Sequence, residues 1–149
     1  MVAVIATRGT TGGGNIVSSI TQTGVPNGTW VRAAEAHNTS MTTEIWYAPN
    51  IPAGAGTAVT INQAAFLSAA VVMEYAGILA AVPLDQIAPG NSTGTSQAAV
   101  TGTITATTQA RELWIGGIGF AYNSTRTLGT ILNSFTTVAQ SADPGWPRV

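Results

Sequence analysis

The 149-residue chain contains no cysteine and, counted residue by residue, no lysine. Charged residues of every kind make up 7% of it, against roughly 25% in an ordinary soluble domain. Without cysteine there is no disulfide framework and no thiolate metal site, and the redox compartment leaves no mark. Five scattered arginines cannot build the basic stripe that neutralises a phosphate backbone, so nucleic acid is not an expected partner. Long apolar runs are missing too. The longest, Ala64 to Leu84, is interrupted by Ser68, Glu74, Gly77 and Pro83, too often for a membrane span. Met1 leads straight into Val2-Ala3-Val4-Ile5, with no basic region or cleavage sequence of the kind a signal peptide carries.

What replaces the charges is small and polar. The hydrophobic fraction is an ordinary 45%, and there are twenty-three threonines and 17 glycines. About 150 residues suffice for one domain with a real core. The formal net charge of −1 has a positive meaning, because near-zero charge favours association over repulsion. Such a surface packs readily against copies of itself.

Local signals are almost all of the strand type. Val2–Thr7 and Ile16–Thr21 are short apolar runs ended by glycine-rich or Gly-Val-Pro-Asn-Gly breaks. Thr29–Ala36 alternates, with Val31, Ala33 and Glu35 opposite Trp30, Arg32 and Ala34. His37-Asn38-Thr39-Ser40 reads as a turn. In Thr42–Ala48, Ile45 and Tyr47 fall on one face, Glu44 and Trp46 on the other. Pro49 to Gly56 is irregular, and Thr57–Asn62 alternates. Leu67–Tyr75 reads as a long core strand, since the Val71-Val72 pair and the even–odd split outweigh the helical tendency of its alanines. After an irregular stretch from Gly77 to Gly94, Val100–Thr105, Glu112–Tyr122 and Ile131–Val138 complete the set. Gly116, Gly117 and Gly119 suggest a bulge or a close backbone approach. The expected fold is all-β: an antiparallel β-sandwich of about eight to nine strands over residues 1–140, followed by a Pro/Gly-rich arm over 141–149.

Met73-Glu74-Tyr75-Ala76-Gly77-Ile78, followed by Val82-Pro83-Leu84-Asp85, resembles a recurrent β-sandwich domain of jelly-roll type found in bacterial secreted proteins and phage-encoded structural or surface proteins. Thr101–Thr108 and Glu112-Leu113-Trp114-Ile115-Gly116 are similar to the Thr-rich strand and the following strand of that domain. Ile45-Trp46-Tyr47-Ala48 and Gly54–Ile61 are similar to its aromatic strand and hairpin. The resemblance covers roughly Val2 to Val138 and implies a structural or surface-binding module more firmly than any activity.

Catalytic chemistry finds little to use. His37, the single histidine, lies in a polar turn and reads as surface. A zinc shell would have to be mostly carboxylate. Glu74 and Asp85 are the best candidates for an acid pair. Their plainer roles are an ion pair with Arg32 or Arg111 for Glu74, and capping of loop N–H groups for Asp85. Asp85 lacks the acidic neighbours a calcium loop needs, and Gly12–Gly14 lacks the lysine and context of a phosphate cradle. Neither catalysis, a metal nor a cofactor is expected. The four Asn-x-Ser/Thr triplets, at Asn27, Asn38, Asn91 and Asn123, arise easily by chance in so Thr-rich a chain.

The aromatics carry more. If Ile45, Tyr47, Leu113 and Ile115 face the core, alternation sends Trp46 and Trp114 outward, where burial by a partner is worth up to a few kcal/mol each. Trp30 is a further candidate. Trp146, between Pro144 and Pro147, sits in a stiff arm that reaches either a neighbour or its own domain. The expectation is a non-enzymatic structural subunit that self-assembles or decorates a larger assembly, most simply a phage virion component, with other copies or structural subunits as partners. The competing expectation is a secreted carbohydrate-binding module, its rings stacking on sugar faces, or a subunit of an extracellular filament.

Overall fold

The structure is a computed structural model that describes residues 1–8, 16–38, 41–64, 67–88, 90, 99–120, 129–141 and 149. Among these residues there is no helix. Six strands run in chain order: β1 (Val2–Arg8), β2 (Val17–Gln22), β3 (Val31–His37), β4 (Met41–Tyr47), β5 (Val59–Gln63) and β6 (Leu67–Met73). They form two antiparallel sheets, one of four strands in the order β3-β4-β1-β6 and one of two, β2-β5. Each matches one of the first six expected strands, within a few residues at its ends.

The uninterrupted apolar run of β1 has its reason in the sheet order. A strand with neighbours on both edges and cover on both faces cannot alternate apolar with polar. Ala3, Ile5 and Thr7 are buried on one face, Val4 and Ala6 on the other. The register carries each set across the sheet. Ala3 lies opposite Trp46 and Val72; Ile5 lies opposite Glu44 and Ala70. This first face forms the main core with Val17 and Ile20 of β2 and with Trp30, while Val59 and Ile61 of β5 pack at its margin.

The second face is covered by chain rather than by a sheet. The backbone from Glu112 to Phe120 crosses it, and the close approach expected of its glycines is found at two of them. A Cβ on Gly117 would fall 2.6 Å from Val4 Cγ1, and one on Gly119 would collide with Thr43 Oγ1 and Ala6 Cβ. Only a bare backbone fits that close to the sheet.

Three features depart from the expected pattern. A bulge between Arg32 and Ala34 inserts one residue into β3. Arg32 and Glu35, expected on opposite faces, therefore share one. β6 is an edge strand and not a core strand, with Leu67 and Val72 exposed. The later segments Val100–Thr105, Glu112–Phe120 and Ile131–Val138 carry strand-like sequence, but their described residues form no ladder beyond single bridges at Val100 and Phe120. Strand propensity is realised only against a neighbour.

Gly119→Val should lower stability by about 1–3 kcal/mol through overpacking, as read from urea unfolding. Gly116→Ala, whose Cβ would meet nothing closer than Phe135 Cε1 at 4.0 Å, should leave the midpoint unchanged.

Candidate functional site

Two groups of side chains stand out, one inside the molecule and one on it. The inner group gathers where β3, β4 and β2 meet. The bulge turns Arg32 and Glu35 to the same face, and the register sets Glu35 directly opposite Glu44. Two facing carboxylates repel, and Arg32 lies between them, with its guanidinium 2.8 Å from Glu35 and 3.6 Å from Glu44. His37 Nδ1 meets the other oxygen of Glu35 at 3.1 Å.

Glu44 is the deepest member of this group, 1% exposed. Its Oε2 accepts from Trp46 Nε1 at 2.7 Å, and its Oε1 accepts from the backbone N–H of Val17 at 3.5 Å. A carboxylate on the larger sheet thus holds a backbone donor of the smaller one. A shallow cleft of about 420 Å³ opens beside it, lined by Val17, Ser18, Arg32 and Trp46.

These positions correct the expected role of two tryptophans. Trp46 is 8% exposed and Trp30 is 5% exposed, and both belong to the main core. Thr42, Glu44 and Trp46 form the better-buried face of β4, while Thr43, Ile45 and Tyr47 are only half-buried. Alternation distinguishes two faces without saying which one is wet, and here the face bearing the charge turns inward because Glu44 finds donors there. Trp46 and Trp114 therefore offer no paired stacking platform for a sugar. Trp114 is 54% exposed, as expected, but Leu113, expected to face the core opposite it, is 45% exposed as well, so alternation does not account for its exposure. Trp146, Pro144 and Pro147 lie outside the described residues. Beside them, Ser141 and Val149 exchange two backbone hydrogen bonds, of 2.8 and 3.0 Å.

The outer group is apolar. Every buried residue among those described lies between Ala3 and Ala69. Twelve of the fifteen exposed large hydrophobic residues lie between Ile78 and Val138, Trp114, Leu132 and Val138 among them. The first half of the chain supplies the core, and the second half supplies apolar surface.

Asp85 and Glu112 tie that second half together. Asp85 accepts from the Thr108 N–H at 2.7 Å and from the Thr108 hydroxyl at 2.9 Å. It thus caps loop donors, the plainer of its two expected roles. These bonds, the backbone one first, hold its carboxyl below the ordinary 3.8. Loss of hydration, and next a hydrogen bond shared with Asp85, push Glu112 above its ordinary 4.5. The carboxylate near Asp85 is thus Glu112. Glu74 instead places its charge near the amino group of Met1, and Arg32 takes Glu35 and Glu44. No cluster of three or more His, Asp or Glu able to hold a metal occurs among the described residues. Comparison with protein-family models, with curated proteins and with solved structures gives no match.

Glu44→Ala should cost about 2–4 kcal/mol, because it strands a buried indole N–H and leaves a backbone donor unpaired. Glu44→Gln, which keeps an acceptor for Trp46, should cost less than half of that in urea unfolding. The Asp85–Thr108 tie should be complete above pH 3.8 and should loosen as pH falls through the depressed value. Asp85→Asn should move the Glu112 titration back towards 4.5, followed by carbon-13 NMR of the side-chain carboxyl.

Proposed function

We propose that the chain is a non-enzymatic structural subunit whose second half is completed by other subunits. The observation that carries this reading is that, among the described residues, the core is drawn wholly from residues before Val71 and the exposed apolar surface mostly from residues after Met73.

In this reading Val100–Thr105, Glu112–Phe120 and Ile131–Val138 become paired strands on assembly. That completes a sandwich of eight to nine strands of the jelly-roll type. A β-sandwich with almost no charge and no lysine suits a subunit packed on most sides, as in a phage virion, where capsid decoration, tail and fibre roles all demand it. The virion role rests on composition and on analogy with small sandwiches of this size.

Sedimentation velocity on the purified protein tests the reading, which expects an oligomer or polymer. Trp114→Ala should weaken association roughly 10- to 100-fold, as loss of a central aromatic anchor does. Trp46→Ala should instead destabilise the subunit, by about 3–5 kcal/mol. A single monomeric species at high concentration would refute the proposal.

A further inference from the structure

We infer that β6 pairs edge to edge, antiparallel, with the β6 of a second copy of this chain. The inference rests on the assembly reading above and names the strand through which one contact is made.

The four-stranded sheet ends in two unlike edges. β3 carries Arg32, Glu35 and His37 and is interrupted by a bulge. Charges and bulges are the devices by which sheet edges repel stray strands. β6, Leu-Ser-Ala-Ala-Val-Val-Met, has no charge, no proline and no glycine. It follows β1 in unbroken register over its whole length, so its free edge presents an evenly spaced row of donors and acceptors. Among the described residues only β1 pairs with it.

The sequence of β6 also fits itself. Full overlap about a two-fold axis sets Ala70 opposite the Ala70 of the second copy. Ser68 then faces Val72, Ala69 faces Val71, and Leu67 faces Met73. Each pair shares a sheet face, as antiparallel pairing requires. No like charges meet, and the smallest side chain lies on the axis. Leu67 and Val72, exposed in the single copy, both gain a cross-strand neighbour. A charged strand from another protein would find no counter-charge along this edge, whereas a second β6 needs none. The two four-stranded sheets would join into one continuous sheet.

The cysteine-free background makes a clean test. Residues directly opposite in an antiparallel pair have Cα atoms about 4.5–5.5 Å apart, inside the disulfide range of about 4.4–6.8 Å. Ala70→Cys in the full chain, oxidised at micromolar concentration, should give a covalent dimer, while Ala36→Cys on the guarded β3 edge should stay uncrosslinked. Far-UV circular dichroism and the unfolding midpoint should match the unmodified protein. In a second experiment, Ser68→Lys/Val72→Lys should abolish the β6 contact in sedimentation. Mixing it with Ser68→Glu/Val72→Glu should restore the contact as a mixed pair. If Ala70→Cys fails to crosslink where the unmodified protein sediments as an oligomer, β6 pairing is wrong and the assembly reading stands. If the unmodified protein is a monomer, both are wrong.

Discussion

A carboxylate with almost no access to water links the two sheets. Burying an ionised glutamate costs several kcal/mol unless its oxygens are occupied. Both oxygens of Glu44 have partners: one accepts from the indole of Trp46, the other from the Val17 N–H, with the Arg32 guanidinium nearby. Each donor belongs to a different strand. Satisfying Glu44 therefore fixes the rotamer of a core tryptophan, places the start of β2, and holds Arg32 on the face to which the β3 bulge turns it. An apolar residue at this position would pack, but would specify none of these.

Around that point the molecule divides. The first face of the larger sheet is closed by β2, β5 and Trp30 and carries the main core. The second face is closed at Gly117 and Gly119 by backbone alone, and backbone without side chains buries little apolar area of its own. The second half of the chain is thus held by close approach and by the Asp85–Thr108 tie, while Leu113, Trp114 and Ile118 beside those glycines remain exposed. The same geometry that lets the segment lie flat on the sheet leaves its large side chains turned outward.

Much of this was legible in the residues and some of it could not be. The first six strands were visible because each is a short β-branched or alternating run between Gly/Pro breaks, and both signals are local. Which face of β4 is buried was not local. Glu44 beside Trp46 looks like a wet face, and only the donors of Trp46 and Val17, brought together by the fold, reverse that reading. The bulge in β3 left no mark, since Val-Arg-Ala-Ala-Glu-Ala alternates well enough without one. The cluster around Glu44 was missed for the same reason, although a glutamate two residues before a tryptophan in a β-branched strand was the available signal. Val100–Thr105 is the opposite case, strand-like in sequence but with no ladder among the described residues. Its alternation is perfect, yet a strand exists only where another strand lies beside it, and no sequence window contains its own partner.

The composition explains why such a chain tolerates incomplete closure. A lysine- or glutamate-covered surface resists burial twice, through desolvation of charge and through the roughly 1.5–2 kcal/mol of rotamer freedom that each long side chain loses. Thr, Ala and Gly lose far less, and the threonine hydroxyl finds a partner as easily in a facing strand as in water. The twenty-three threonines and the absent lysine therefore lower the cost of covering every exposed segment at once. Among the described residues, Arg32, Glu35 and Glu44 cluster where β3, β4 and β2 meet, and Asp85 and Glu112 sit together between loops. Leaving β6 uncharged keeps it open to contact, and the charges on the β3 edge deny that edge the same freedom.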